Sequence, residues 1–325
     1  MPRWLETLPI NPLSSLAAEG SACMLYFIRR DLLDEPAGSI DELWDNPAAV
    51  KILHRQQPDG SWRYPGANRK TDPIFNYNLL ETYRNLRILI EMHGFNRLHP
   101  AISQAAEFVF SCQTEQGDIR GILGNQYMPY YHAAILELLI KSGYEQDQRT
   151  QRGFDWLLSM RQQDGGWIVP LQAVPASQKT KEIWSAEPLP PARERPFSHL
   201  ATGMVLRAFA AHPRYAQSEA TRQAGTLLKD RFFQADKYND RKTPAYWLKF
   251  EYPFWWNNLL SALDSLSHLG FSAQDDQIRK GIDWFITHQD LDGLWPTSYG
   301  SGKNAAKNRA WVGLAVCRVL RRFMP

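Results

Sequence analysis

The sequence predicts an all-α protein that folds as an α/α toroid, a closed ring of about five to six helical hairpins. A short turn sequence occurs three times, as QQPDGSW at 56–62, RQQDGGW at 161–167 and QDLDGLW at 289–295. Helix-period segments lie between these turns, and no segment of useful length alternates apolar and polar residues as a half-buried strand does. Five predicted helical hairpins plus a helix from each end of the chain would close a ring, so a toroid is favoured over an open helical solenoid.

The turns belong to a longer internal repeat. SGYEQDQRTQRGFDWLLSMRQQDGGW, from Ser142, and LGFSAQDDQIRKGIDWFITHQDLDGLW, from Leu269, match at a glycine, at an Asp-Trp pair and at the turn. Repeats of this kind bury their apolar faces by stacking on their neighbours. A degenerate copy, QTEQGDI, lies at 113–119, and another copy is expected near 232–247, where the turn signature is lost.

Coarse periodicity divides the predicted helices into two sets. The amphipathic set is predicted to face outwards and covers about 47–57, 101–113, 149–163, 219–233 and 275–289. The second set is apolar over more of its circumference, as an enclosed helix should be, and covers about 14–33, 75–92, 128–142, 197–211, 254–269 and 304–322. We expect one domain over 1–325, with 14–33 as the inner helix that closes the ring.

Each turn has a structural interpretation. The first residue, glutamine in two of the three copies, ends the outer helix, Asp-Gly forms a reversal that needs a positive φ, and the tryptophan packs as a wedge between hairpins. Asp59, Asp164 and Asp292 are therefore interpreted as turn residues and not as catalytic acids.

Composition restricts the class of protein. The 325 residues include three widely spaced cysteines and carry a net charge of +3. The cysteine pattern argues against a disulfide framework and favours a cytoplasmic location. The charge is too small to indicate nucleic acid as a partner. No apolar run approaches the ~20 residues of a membrane span, so a transmembrane segment is not expected, although peripheral membrane contact is compatible with the sequence.

The three turns resemble the QW repeats of the terpenoid cyclase and protein prenyltransferase superfamily, and the resemblance covers about residues 45–320. It implies an α/α toroid whose reacting end is the rim where the inner helices begin. It also implies a cyclase or prenyltransferase that acts on an isoprenoid.

Two signatures of that superfamily are absent. MPYYHA, at 128–133, stands where squalene-cyclase-like enzymes carry an Asp-x-Asp-Asp acid cluster, and TDPIFNYN, at 71–78, has Ile74 where zinc-binding prenyltransferases have a cysteine. The sequence therefore predicts no metal site and no cofactor, with Mg²⁺ expected only if a diphosphate is bound. Any reaction would have to proceed without the acid cluster and without zinc. The sequence does not decide whether the chain is an enzyme.

The candidate site residues lie mainly where the inner helices begin. The loops there carry more positive charge than the whole chain, and helix N-termini favour anions, so an anionic, partly apolar small molecule is the predicted ligand. The catalytic candidates are His132, Tyr130, Tyr131, His199 and Asp72. The substrate-binding candidates are Arg69, Lys303, Arg309, Asn76, Asn257, Tyr246, Trp247, Trp255, Trp256 and Trp311. The six other histidines, which include His268, are interpreted as structural.

Polar stripes on the inner helices favour a second interpretation. Asn257, Ser261, Asp264 and His268 recur at helical spacing, and they either find hydrogen-bond partners in the core or line a wet channel. A wet channel suits a carbohydrate-active toroid such as a uronate polysaccharide lyase. In such an enzyme an asparagine or histidine neutralises the carboxylate and a tyrosine or histidine abstracts the proton; Asn76, His132, His199 and Tyr131 could supply this set. A barrel that binds without catalysis is a third interpretation.

The segment 168–196 contains six prolines and is longer than an ordinary hairpin connection. Because it follows a turn, it is predicted to lie over the rim as a lid-like insertion.

Overall fold

The computed structural model describes residues 3–66, 72–238, 241–299 and 302–325; the candidate Arg69 lies outside these ranges. The chain within them is helical, with isolated bridges and no β-strand. The helices are α1 (Arg3–Glu6), α2 (Leu13–Ala17), α3 (Ala22–Ile28), α4 (Pro47–Leu53), α5 (Tyr77–His93), α6 (Pro100–Ser111), α7 (Pro129–Lys141), α8 (Gln148–Ser159), α9 (His199–Ala211), α10 (Pro213–Ala216), α11 (Glu219–Lys229), α12 (Leu259–His268), α13 (Asp276–Thr287) and α14 (Gly302–Phe323).

Six helices form an inner ring in the order α3, α5, α7, α9, α12 and α14. Each contacts the next, and α14 contacts both α2 and the π-helical turn Arg29–Leu33 that follows α3, so the ring closes. The outer helices α4, α6, α8, α11 and α13 each pack on an inner helix. The predicted all-α toroid with two rings of helices is confirmed. We call the edge where inner helices begin the start rim and the edge where they end the end rim.

The predicted inner helices at 14–33 and 254–269 are both too long. The first is interrupted between α2 and α3, where Gly20 has a φ of +76° and Ser21 caps a new helix by accepting a hydrogen bond from the Met24 N–H at 3.2 Å. The second begins only at Leu259, where Asn258 and Ser261 form a capping box. The residues before Asn258 are not helical, and their path determines what the ring encloses.

The repeated turns have the structure expected of them. The indole N–H of each tryptophan donates to the carbonyl ten residues earlier, in the outer helix: Trp62 to Ile52 at 2.8 Å, Trp167 to Leu157 at 2.7 Å and Trp295 to Phe285 at 2.6 Å. The glycines of the turns, Gly60, Gly165 and Gly293, have φ values of +85°, +101° and +82°. The turn therefore fixes the end of an outer helix to the loop that leads inwards.

The first residue of each turn joins neighbouring hairpins. The side-chain amide of Gln56 donates to the carbonyl of Ala101 at 2.8 Å, and that of Gln113 donates to Arg149 at 2.8 Å, each in the first turns of the next outer helix. Gln289 donates to Ile10 at 2.7 Å, which joins the last hairpin to the beginning of the chain. The motif therefore holds the ring together.

Residues 249–258, which we call the plug, occupy the interior of the ring. The N–H of Tyr252 donates to the side chain of Asn308 on α14 at 3.1 Å. The carbonyl of Pro253 accepts from Arg87 on α5 at 2.8 Å, and the carbonyl of Trp255 accepts from Arg207 on α9 at 3.1 Å. A segment bonded to helices on different sides of the ring must lie inside it. The plug enters from the start rim, since it precedes α12.

None of the helices in the described ranges is both long and apolar enough to cross a membrane.

Candidate binding cavity

A cavity of about 790 Å³ opens at the end rim. The described residues that line it come from the C-terminal parts of α3, α5, α7, α12 and α14, from the connections that follow α3 and α5, and from Tyr252 and Phe254 of the plug. The resemblance to cyclases places the reacting end at the start rim, and this cavity lies at the opposite one. The plug forms its floor.

The floor and walls of the cavity combine charged and aromatic side chains. Five cationic residues and three carboxylates line it, so cations are in excess. The cations lie near the C-termini of inner helices, where the helix dipole favours positive charge. The carboxylates are Asp31, Glu91 and Asp264, and the rings are those of Tyr26, Phe27, Phe95, Tyr252 and Phe254.

The positive charge is concentrated in an arginine corner made of Arg30, Arg318 and Arg321 around Asp31. Arg318 donates to the Asp31 carboxylate from Nη2 at 2.5 Å and from Nε at 2.8 Å, Arg30 donates to it at 2.5 Å, and Arg321 bonds the Asp31 carbonyl. Arg30 and Arg318 also stack on the ring of Phe27, at 4.8 and 4.9 Å from its centre. Burial raises the pKa of Asp31, but Arg318 and Arg30 outweigh it and hold that pKa below its usual value.

Tyr252 connects the arginine corner to a buried carboxylate. Its hydroxyl donates to Glu91 Oε2 at 3.0 Å and accepts from Arg318 Nη1 at 3.1 Å. Lys141 lies 2.5 Å from the other Glu91 oxygen and 2.8 Å from Glu137. Burial, and then the negative charge of Glu91, raise the pKa of Tyr252, so the phenol is protonated at neutral pH. This phenol–carboxylate pair is an arrangement that can transfer a proton.

The polar stripe of α12 is divided between the core and the cavity. Asp264 and His268 line the cavity, and Arg322 bonds Asp264 and donates to Ser267 at 2.7 Å. His268 lines the cavity, whereas its interpretation from the sequence is structural. Desolvation by the surrounding protein lowers the pKa of His268, although Asp264 opposes the shift, so the ring is neutral.

The other part of the stripe is buried. Asn257 donates to the His199 carbonyl at 3.1 Å, and Ser261 donates to the Asn258 carbonyl at 3.2 Å. Asn257 also lies against α9 so closely that a Cβ on Gly203 would be 2.0 Å from its Oδ1. The structure therefore gives Asn257 a packing role, contrary to its prediction as a ligand-binding residue.

His132 is part of the core. It is 1% exposed; its Nδ1 accepts from the Ile119 N–H at 2.9 Å and its Nε2 lies 3.0 Å from the Gly153 carbonyl. Burial lowers the pKa of His132 to about 4. Both ring nitrogens are occupied by backbone groups, so the structure does not support the predicted acid/base role.

His199 and Trp247 are also held away from the cavity. Burial lowers the pKa of His199 to about 4, and its Nδ1 lies 3.4 Å from Asp236, which caps the start of α9 by accepting from the Leu200 N–H at 3.0 Å. The Trp247 ring lies 4.6 Å from the His199 ring, tilted by 33° to it, and its indole N–H donates to the Gln234 carbonyl at 2.9 Å. This group fixes the loop that precedes α9.

The aromatic residues predicted to form walls do meet, but they fill the ring. Tyr131 lies 6.3 Å from Trp255 and Tyr130 lies 5.9 Å from Trp256, measured between ring centres. Arg87 already covers the Trp255 ring at 4.5 Å, and Arg241 covers Trp256 at 4.2 Å. The cluster belongs to the plug and its surroundings. Burial raises the pKa of Tyr131 to about 12, so this phenol is neutral.

The predicted anion-binding residues of the start rim do not converge. Arg309 is bound to Asp290 at 2.6 Å and to Asp292 at 2.7 Å, so it completes the last turn. Asn76 caps α5, where it accepts from the Leu79 N–H at 2.9 Å. Lys303 is exposed on α14.

The remaining candidates have structural surroundings. Asp72 accepts from the Ile74 N–H at 3.1 Å, as a turn residue does. Lys249 lies 4.0 Å above the Tyr246 ring. Trp311 is 1% exposed and stacks on Tyr252 at 5.9 Å, so it supports the cavity floor from below.

The proline-rich insertion 168–196 lies on the start rim. Gln126, before α7, accepts from the Leu189 N–H at 3.0 Å and donates to the Ile183 carbonyl at 2.5 Å. The Trp184 ring lies 5.7 Å from Phe75. The insertion is therefore at the end of the ring away from the cavity.

Sequence reasoning missed Glu91, Lys141, Tyr252, Arg318, Arg321 and Arg322. A signal was present, because charged residues occur in the last turns of inner helices that are otherwise apolar, and closure of the ring brings those turns together. In the part of the chain that the structure describes, no group of three or more His, Cys, Asp or Glu residues could hold a metal ion.

No protein-family model matches the sequence, and no curated protein matches it. Solved structures similar to it include a ligand-free variant of the type II terpene cyclase MstE from Scytonema, at 14% identity over 96% of this chain and 97% of that one, with a TM-score of 0.47. A polysaccharide lyase is 10% identical over 98% and 95% of the two chains, with a TM-score of 0.49. A family 88 glycosyl hydrolase from Bacteroides vulgatus is 10% identical over 95% and 97%, with a TM-score of 0.46. Similarities this weak do not assign the fold or the function. The ring is established by the contacts between the helices.

Proposed function

We propose that this protein is a carbohydrate-active toroid that binds an acidic sugar in the cavity at the end rim. The observation that carries the proposal is the lining of this cavity, in which the arginine corner, a phenol–carboxylate pair and several aromatic rings face one cavity. Sites for small molecules combine apolar surface with a few convergent polar groups in this way.

The arginine corner supports a carboxylate as the acidic group of the ligand. Guanidinium groups bind carboxylates with two parallel hydrogen bonds. Arg30 and Arg318 share the single carboxylate of Asp31, and Arg321 bonds Asp34 outside the cavity lining. Three guanidinium groups next to one lining carboxylate leave a local excess of positive charge, which an anionic ligand would neutralise.

The remaining groups support a hydroxylated ligand. Glu91, Asp264 and His268 offer hydrogen-bond acceptors, while Lys141 and Arg322 offer donors. Tyr26 and Phe95 supply flat apolar surface beside them. A sugar acid has hydroxyls for the first set and a carboxylate for the arginine corner.

The geometry around Tyr252 supports elimination as the reaction. The arginine corner would neutralise the uronate carboxylate, which makes the proton on the adjacent carbon acidic. As Tyr252 takes that proton, its own proton passes to Glu91; the C–H electron pair forms a double bond, and the neighbouring C–O bond breaks with its electrons on oxygen. The proton on Glu91 returns through Tyr252 to that oxygen, so no other reactant is consumed.

Thermal-shift titration tests the proposal. An oligogalacturonate should raise the melting temperature by mass action, and the Arg321→Gln variant should lose most of this rise. Lys303 is an exposed cation on the start rim, so the Lys303→Gln variant is the matched control and should keep the rise.

Release of an unsaturated uronate, followed by its ultraviolet absorbance, then tests the reaction. No stabilisation by the sugar acid would reject the proposal, and binding without release would make the protein a non-catalytic binder.

An isoprenoid-acting enzyme is the second candidate, and the aromatic cluster of Tyr83, Tyr130, Tyr131, Trp255 and Trp256 is the observation that favours it. These rings lie where a cyclase would shape its substrate, but their contacts with one another require the plug to move first. Stabilisation by geranylgeranyl diphosphate that is lost in Lys303→Gln and kept in Arg321→Gln would favour this candidate.

A further inference from the structure

We infer that the cavity receives the end of an acidic sugar chain and excludes its interior, an inference that rests on the proposed function. The structural reason is that the cavity opens at the end rim, while the plug closes the ring below it. The inference therefore specifies the form of the substrate: a terminal uronate and not a residue within a polymer.

The plug closes the cavity because its backbone is fixed on several sides. Arg87, Arg207 and Asn308 bond its backbone groups from α5, α9 and α14 at 2.8, 3.1 and 3.1 Å. Tyr252 and Phe254 are the plug residues exposed to the cavity, and Trp255 lies below them against Tyr83, with ring centres 5.0 Å apart. Apart from the plug, no described residue that lines the cavity comes from the start rim. A chain that entered from the end rim could not leave through the other side.

The groups able to transfer a proton lie at this closed end. Tyr252 belongs to the floor, and the Glu91 carboxylate that accepts its hydrogen bond is 15% exposed in its side chain. The side chains of Arg30 and Arg321, at 49% and 28% exposed, lie nearer the solvent. A sugar that reaches Tyr252 therefore has the rest of its chain directed back towards the mouth. An internal residue would need room for two chain segments in the same opening.

Binding measured against chain length tests the inference. Calorimetry compares an oligogalacturonate with a polygalacturonate about tenfold longer, at equal concentrations of uronate residues. The oligomer then supplies about ten times as many chain ends. If the cavity binds chain ends, the apparent affinity per uronate residue should be about tenfold weaker for the polymer, which corresponds to about 1.4 kcal/mol in the free energy of binding. Capping the binding end of the oligomer with a bulky label, tested separately for each end, should abolish its binding.

The outcomes separate the inference from the proposal on which it rests. Equal affinity per residue for both lengths would overturn end recognition and leave sugar binding intact. If neither ligand binds, sugar binding itself fails. The Arg321→Gln variant tests whether the sugar binds in this cavity. Loss of binding in that variant assigns the measured affinity to the cavity. Unchanged binding would place the ligand elsewhere and overturn the inference.

Discussion

His132 shows how an individual residue can have the properties of a catalytic base and still be structural. It lies in the first turn of an inner helix, where a neutral histidine suits general base catalysis. The neutral state arises instead from complete burial between two backbone groups, the Ile119 N–H and the Gly153 carbonyl. Sequence patterns give the position of a residue on a helix, but the direction in which its nitrogens point depends on the neighbouring hairpin.

Replacing His132 with alanine should destabilise the fold. The change leaves the buried Ile119 N–H without its partner, removes a second hydrogen bond to the Gly153 carbonyl and opens a cavity, so we expect a loss on the order of 4 kcal/mol in the free energy of unfolding. Urea denaturation at neutral pH measures it. His54→Ala, at an exposed position, is the control and should change little; equal stability of the two variants would contradict the structural role.

The pH dependence of stability gives a second test of the same residue. The pKa of His132 is about 4 in the folded protein, whereas the ordinary value for histidine is 6.5. Between these values the unfolded chain binds the proton and the folded chain does not, so stability falls as pH decreases from 6.5 towards 4. His132 contributes on the order of 3 kcal/mol to this fall. Denaturation curves at several pH values should show a shallower fall in a His132→Gln variant.

Tyr252→Phe should separate catalysis from binding. The change removes the hydroxyl between Glu91 and Arg318, but Glu91 keeps Lys141 and Arg318 keeps Asp31, so the melting temperature should change little. Release of unsaturated product should fall about 10²- to 10⁴-fold, the usual contribution of a positioned acid or base, with a nearly unchanged dissociation constant for the sugar acid. Tyr26 lines the same cavity but lies outside this hydrogen-bond chain, so the Tyr26→Phe variant should retain activity.

At the scale of elements, the repeated turns were predictable and the plug was not. Each turn is a local pattern in which glycine supplies the positive φ and tryptophan reaches a carbonyl of its own hairpin. The plug, in contrast, continues through apolar residues into α12, so its pattern extends the helix back to residue 254. The cavity depends on the plug and on charged residues at the ends of several inner helices, whose convergence exists only in the closed ring.

Two glycines, Gly60 in the first repeated turn and Gly270 in the turn after α12, separate the effect of backbone strain from that of close packing. Gly60 and Gly270 have φ values of +85° and +74°, but a Cβ on Gly60 would lie 2.2 Å from the Gln104 carbonyl oxygen, while one on Gly270 would meet nothing within 4 Å. Gly270→Ala should lower the free energy of unfolding by about 1 kcal/mol, the cost of the left-handed backbone. Gly60→Ala should lower it by about 3 kcal/mol or more. Chemical denaturation measures both, and equal losses would show that the turn does not press on the next hairpin.

At the scale of the whole molecule, the ring is closed by the same interaction that joins its hairpins. Gln289 exchanges two hydrogen bonds with the backbone of Ile10, at 2.9 and 2.7 Å. The first residues of the chain therefore occupy the place that another outer hairpin would fill. Helix α14 then packs against α1 and α2, which completes the wall.

Gln289→Ala should loosen the beginning of the chain more than the rest of the ring. Loss of its hydrogen bonds should lower the free energy of unfolding by about 1–3 kcal/mol, with faster amide exchange in α1 and α2. Gln113→Ala removes a similar bridge, to the Arg149 carbonyl, and should cost about as much without changing exchange in α1 and α2. Hydrogen exchange followed by mass spectrometry distinguishes the two, and identical patterns would contradict closure through Gln289.

The plug has a further consequence for how the molecule can change. It separates the start rim, which carries the repeated turns, from the cavity at the end rim. A mutation that alters ligand preference in the cavity therefore need not disturb the turns that hold the ring together. A fluorescent label at Lys303, or a longer loop in place of 168–196, would leave the cavity open to its ligand. The most recognisable part of this sequence, its repeated turns, is thus a structural frame whose integrity does not depend on which ligand the cavity binds.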